Sequence, residues 1–175
     1  MLENKRFYTR LGDRHFRESY GLYYEEFEVG DRIDHRPGRT LTEADNIWQS
    51  LINMNISPLH IDSAYCAHTR WEKPLISSLV TFAAINGMTV SSLSARAIAN
   101  LGWDKVRMVA PVFAGDTVYA RSEVLSKRLS GSAPHQGIVT CATQGLKADG
   151  TLFLTCERTF LVPTMDHPDH REAGY

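Results

Sequence analysis

The chain has 175 residues, 43% of them hydrophobic and 22% charged, with a formal net charge of −1; this is enough apolar content for one proper core, with no break that marks a second domain. A nearly neutral chain without a clustered Lys/Arg stripe excludes nucleic acid as the main partner, because phosphate binding is chiefly electrostatic, although a single CoA can still be bound. Cys66, Cys141 and Cys156 show neither CxxC nor Cys/His ligand spacing, so neither a metal site nor a disulfide framework is expected. Met1 to Arg17 is charged and aromatic rather than an apolar signal core. The most apolar stretch, Leu75 to Val90, is interrupted by Ser77, Ser78, Thr81, Asn86 and Gly87. No membrane association and a cytoplasmic location are therefore expected.

In chain order, residues 1–22 read as an aromatic and basic extension and the domain proper as residues 23–163. A first strand is expected around Ile33, after the turn at Gly30-Asp31, and Pro37-Gly38 then breaks the chain. Thr42 to Met54 reads as an amphipathic helix: Thr42 caps it, Glu43 and Asp45 sit in the first turn, and Ala44, Ile47, Trp48, Leu51 and Ile52 repeat at helical spacing. Asn55 falls on the same stripe, which is expected to face the interior. A short helix comes after Asp62, its N-cap, and a loop holds Trp71 and Pro74. From Ser77 to Ala99 the chain reads as a long helix, apolar nearly all round and therefore buried. Lys105 to Phe113, Thr117 to Leu129, Gln136 to Lys147 and Thr151 to Val162 alternate or run β-branched and read as strands, with Asp149-Gly150 as a hairpin turn. Residues 164–175 read as a flexible C-terminal tail.

The stretch Asn55-Ile56-Ser57-Pro58-Leu59-His60-Ile61 sets a carboxamide and an imidazole five positions apart across a break forced by proline. Taken singly, Asn55 also suits a left-handed helix end, and His60 also suits a core histidine bonded to a backbone carbonyl. Combined with the segment from Asp62 to Leu79, the stretch resembles the MaoC-like dehydratases and (R)-specific enoyl-CoA hydratases. That family carries a motif close to G-D-x-N-P-L-H, a short helix, and R-P-I-x-H-G-M opening a long buried helix. Here these correspond, without gaps, to Met54 to His60, Asp62 to Ala67, and Lys73-Pro74-Leu75-Ile76-Ser77-Ser78-Leu79. Ala110 to Val118 is similar to the family's P-V-F-x-G-D strand and turn, so the resemblance covers about Tyr23 to Pro163.

The resemblance implies an α+β fold, a single hotdog domain in which an antiparallel sheet wraps a long central helix. It also implies a homodimer or dimer of dimers and a substrate that is an acyl-CoA thioester. No organic cofactor is implied, CoA entering only as part of the substrate. Three departures stand out: Asn55 replaces the family's catalytic Asp, Ser57 its Asn, and Ser77-Ser78 its His-Gly.

Hydrating an enoyl thioester requires water at the β-carbon, a proton for the α-carbon, and stabilisation of charge on the thioester oxygen. Imidazole is the side chain suited to proton exchange near neutrality, so His60 is expected as general acid/base with Asn55 as its catalytic companion. The resemblance makes the backbone N–H of Ser78 the oxyanion donor, where a helix N-terminus favours negative charge. Ser77 and Ser78 equally suit helix capping. Ser57 and Asn86 are further substrate-binding candidates, although a buried Asn86 bonded to nearby backbone reads as well. An amide cannot accept a proton as a carboxylate does. Either the substrate brings its own carboxylate, paired with Arg70, Lys73, Arg96 or Arg107, or the domain binds acyl thioesters without hydrating them, or hydrolyses them through Asp45 or Asp62. A purely structural domain would have no tunnel reaching His60.

Overall fold

The computed structural model describes residues 8–173; of the two terminal segments, residues 1–7 and 174–175 lie outside the described residues. The elements in order are β1 (Tyr8–Gly12), β2 (His15–Glu18), β3 (Arg32–Thr40), α1 (Glu43–Ile52), α2 (Pro58–Ile61), α3 (Ser63–Cys66), α4 (Ser78–Thr89), β4 (Ala99–Met108), β5 (Thr117–Leu129), β6 (Gln136–Lys147), β7 (Leu152–Pro163) and α5 (Pro168–Glu172). Among the described residues β1 and β2 pair with each other, while the others form a five-stranded antiparallel sheet in the order β3-β5-β6-β7-β4. This is the hotdog arrangement, with α4 laid along the sheet. Val80 and Ile85 of α4 pack on Val118, Ala120, Phe153 and Leu154. Contact is close at Gly145, where a Cβ would stand 2.7 Å from the Phe153 ring and 3.1 Å from Ile85. Leu22, Phe27, Leu93, Val124, Val139, Phe160 and Val162 form a second cluster at the other end of the sheet. Among the described residues no helix is long and apolar enough to cross a membrane.

Several elements differ from expectation, each for a physical reason. The apolar stripe of α1 faces outward: Trp48, Leu51 and Ile52 are 70%, 53% and 71% exposed, whereas Asn46 and Ser50 on the opposite face are buried. α4 ends at Thr89 and passes into a π-helical turn, Val90–Ser94. There the carbonyls of Ser91 and Leu93 accept from the N–H groups of Gly21 and Leu22, and the Ser94 hydroxyl accepts from Arg158. Nor is α4 buried all round, since Leu79 is 52% exposed. β4 starts at Ala99 and ends at Met108 rather than running from Lys105 to Phe113. The alternation beyond Met108 serves another pairing, in which Val112 accepts from the N–H of Ile76 and Phe113 bridges Leu75. After β7 the chain makes a turn and α5, with Thr164 and His167 buried.

β3 carries an irregularity between His35 and Arg39 in its pairing with β5. His35, 2% exposed, sits between the Ser92 hydroxyl at 2.7 Å from Nδ1 and the Ser122 hydroxyl at 2.9 Å from Nε2. Burial pushes its pKa down from 6.5 to about 4, so the folded protein holds this imidazole neutral where an unfolded chain would protonate it. The unfolded state then binds more protons between these two values. The stabilisation is full above pH 6.5 and is lost as pH falls through about 4, amounting to up to about 3 kcal/mol. Thermal melts from pH 7.5 to 4.5 should show the midpoint of the natural protein falling, and a flatter dependence in His35→Gln.

Candidate active site

The site is built from the end of α1 onward. Thr42 and Asp45 cap α1 reciprocally, the Thr42 hydroxyl accepting from the Asp45 N–H at 3.2 Å and the Asp45 carboxylate accepting from the Thr42 N–H at 2.8 Å. At its C-terminus the left-handed residue is Met54, with φ 57°, rather than Asn55. Ser57 is extended and Pro58 opens α2, as its fixed φ favours, which places His60 in the last turn. Asp62 then caps α3 by accepting from the Tyr65 N–H at 2.9 Å. Cys66, fully buried, tucks its thiol under the carbonyls of Pro58 and Leu59.

His60 Nδ1 lies 2.9 Å from the carbonyl oxygen of Leu75. A carbonyl only accepts, so Nδ1 carries the hydrogen and the lone pair of the neutral ring is on Nε2. Leu75 in turn donates its N–H to Leu59 at 3.1 Å. Both strands of this contact are held by Asn46, which is 1% exposed. Its amide nitrogen donates to the carbonyls of His60 at 2.7 Å and Leu75 at 3.0 Å, and its oxygen accepts from the N–H of Ser77 at 2.8 Å. One carboxamide therefore ties the histidine turn to the start of α4.

His60 opens into a cavity of about 360 Å³ that is also lined by Ser78, Thr81, Arg70, Trp71, Leu75, Ile76, Met108, Val109, Ala110, Pro111, Val112 and Phe153. The wall is largely apolar, and no carboxylate is among its lining residues. Ser78 is the first residue of α4, whose opening N–H groups have no partner within the helix. Of the residues singled out from the sequence, the structure thus brings His60 and Ser78 into one cavity. Ser77 is buried behind it, held by Asn46. Asn55 and Ser57 form the shoulder of the loop, with the Asn55 oxygen accepting from the Ser57 N–H at 3.2 Å. Asn86 lies farther along α4, where its oxygen accepts from the Trp103 indole at 3.3 Å. A larger cavity, about 600 Å³, lies between the β3 irregularity, α1 and α4, away from His60.

Asp45 and Asp62 are both occupied as caps, which leaves neither placed as a base. Burial pushes the Cys141 thiol up to about 12 and the Cys156 thiol to about 11, so neither supplies a thiolate near neutrality. Among the described residues no three His, Cys, Asp or Glu side chains converge as metal ligands. Asn46 carries a structural role that the sequence did not single out, and of the basic candidates Arg70 is the one that lines this cavity. Asn46 shares an i, i+4 spacing with Ser50 on the polar side of α1, but only the covered face of that helix shows it to be structural.

The family profile described as mesaconyl-CoA hydratase matches residues 2–173. The chain belongs to the mesaconyl-CoA hydratase family. The mesaconyl-CoA hydratase of Haloarcula marismortui is 29% identical over 157 residues, 89% of this chain and 44% of that protein. The (R)-specific enoyl-CoA hydratase of Aeromonas caviae is 26% identical over 139 residues, 79% of this chain and 98% of that protein. A Mycobacterium tuberculosis protein with a double hotdog fold superposes with a TM-score of 0.77 at 25% identity, covering 83% of this chain and 45% of its own. This chain therefore spans about half the length of the mesaconyl-CoA hydratases it matches.

Replacing Asn46 by Ala leaves the carbonyls of His60 and Leu75 and the N–H of Ser77 without their partner. Urea unfolding should show a loss of about 2–4 kcal/mol for Asn46→Ala, far above the change for an exposed substitution on the same helix such as Glu43→Ala.

Proposed function

We propose that this chain is a hydratase that adds water across the α,β double bond of a short-chain enoyl-CoA, with His60 as general acid/base. The observation that carries the reading is the Leu75 carbonyl, which fixes the His60 tautomer beside the N-terminus of α4. In the forward direction Nε2 takes a proton from water as the new C–O bond forms at the β-carbon. The π electrons move to the thioester oxygen, where the N–H of Ser78 and the helix dipole stabilise the charge. Collapse of the enolate then draws the same proton from Nε2 to the α-carbon, so one imidazole serves both transfers. Asn55 and Ser57 shape the loop from which His60 projects. A mesaconyl-like thioester, whose acyl group ends in a carboxylate, is the substrate we favour, on the family match.

The same reading includes a homodimer or dimer of dimers. Trp48, Leu51, Ile52, Met54 and Ile56 are exposed around α1 and its loop. β4 is an edge strand that exposes Leu101, Trp103 and Met108. A paired copy covers both, removes the open edge, and reproduces the two units that the mycobacterial relative carries in one chain.

Loss of enoyl absorbance with mesaconyl-CoA should be catalysed by the purified protein, sedimenting as a dimer or larger, and His60→Ala should lower kcat by about 10²–10⁴-fold. Release of free thiol in place of hydration would make it a thioesterase. Binding without turnover of any enoyl-CoA would make it an acyl-thioester binding domain.

A further inference from the structure

Four basic residues are near enough in sequence or type to meet a substrate carboxylate, and the fold separates them. Lys73 lies over the Phe113 ring at 4.4 Å and lines a different, smaller cavity. Arg96 is buried at the far end of α4 over the Tyr23 ring. Arg107 projects from β4 and donates to the carbonyl of Val106. Arg70 alone among the four lines the His60 cavity.

The local structure holds the Arg70 guanidinium in place. Its Cζ stands 4.2 Å from the centre of the Trp71 ring, and Trp71 is itself packed edge-on against Phe113 at 6.1 Å. The loop beneath is tied by the Thr69 hydroxyl, which donates to the Cys66 carbonyl at 2.8 Å and accepts from the Trp71 N–H at 3.3 Å. A guanidinium resting on an aromatic face is attracted electrostatically and keeps its in-plane N–H groups free for a second partner. None of the ion pairs among the described residues involves Arg70. Among the described residues no carboxylate lines the same cavity.

We infer that Arg70, seated on Trp71, is the specificity-determining residue that binds the free carboxylate of a dicarboxylic enoyl-CoA in the His60 cavity. This rests on the hydratase reading and deepens it. A planar guanidinium matches a carboxylate through two parallel N–H···O bonds, and so orients the acyl chain as well as holding it. In a mesaconyl thioester the carboxylate is attached to the β-carbon that receives the water, so fixing one end of the acyl group aligns the double bond with His60.

The test compares mesaconyl-CoA with tiglyl-CoA, which has a methyl group in place of the carboxylate, for the natural protein, Arg70→Gln and Arg70→Lys. Binding of the saturated counterparts, methylsuccinyl-CoA and 2-methylbutyryl-CoA, is measured calorimetrically alongside. The expected result is a fall of about 10–100-fold in the mesaconyl to tiglyl ratio of kcat/KM in Arg70→Gln. The methylsuccinyl to 2-methylbutyryl affinity ratio should fall similarly, with partial recovery in Arg70→Lys. Equal losses for both members of each pair would assign Arg70 to a CoA phosphate and overturn the inference, as would unchanged ratios. If the natural protein turns over neither enoyl-CoA, the hydratase reading fails, and the saturated pair still decides whether Arg70 selects the carboxylate.

Discussion

The carbonyl oxygen of Leu75 is the point on which the site turns. It accepts from His60 Nδ1 and from the amide of Asn46 at once, using both of its lone pairs, while the Leu75 N–H donates to Leu59. Three segments distant in sequence, the middle of α1, the α2 turn and the entry to α4, are thereby fixed relative to one another. The helix N-terminus and the imidazole then face one cavity without either being able to drift. Such a network is costly when incomplete, because the groups it satisfies are buried or partly buried and would lose their partners. That cost is what ties the geometry of the site to the stability of the fold.

The same network explains why α1 is turned inside out relative to its apolar stripe. Asn46 must reach two carbonyls and an N–H, so the Asn46/Ser50 side packs inward and Trp48, Leu51 and Ile52 are left on the surface. An exposed hydrophobic helix face is the kind of surface through which proteins associate, and the proposed pairing of two copies would cover it.

Much of the scaffold was legible in the sequence because local chemistry and tertiary structure agree there. Thr42 and Asp62 cap helices as their types predict, Gly150 takes the positive φ of 88° that the Asp149-Gly150 hairpin needs, and alternation marks β5, β6 and β7 to within a residue or so. The misplacements share one cause, since periodicity reveals an apolar face but not what lies against it. For α1 that face is exposed and the polar Asn46/Ser50 side is the buried one. At the end of α4 the serines and carbonyls of 90–94 are claimed by His35, Arg158 and residues 21–22, none of them close in sequence. Beyond Met108 the alternating residues pair with the entry to α4 instead of the sheet. The loop that carries His60 into its cavity was marked by the proline break, whereas Asn46 was hidden because a polar residue on a polar helix face gives no sign of being buried. Arg70 could be named but not chosen until its cavity was seen.

The most direct measurement is the tautomer of His60 by long-range ¹H–¹⁵N correlation on the ¹⁵N-labelled protein, which distinguishes a protonated ring nitrogen from a bare one. The account predicts that the hydrogen is on Nδ1 and that Nε2 resonates as a bare, lone-pair nitrogen. A His60 with its hydrogen on Nε2 would contradict it, because the Leu75 carbonyl would then not be holding the ring and no base would face the double bond.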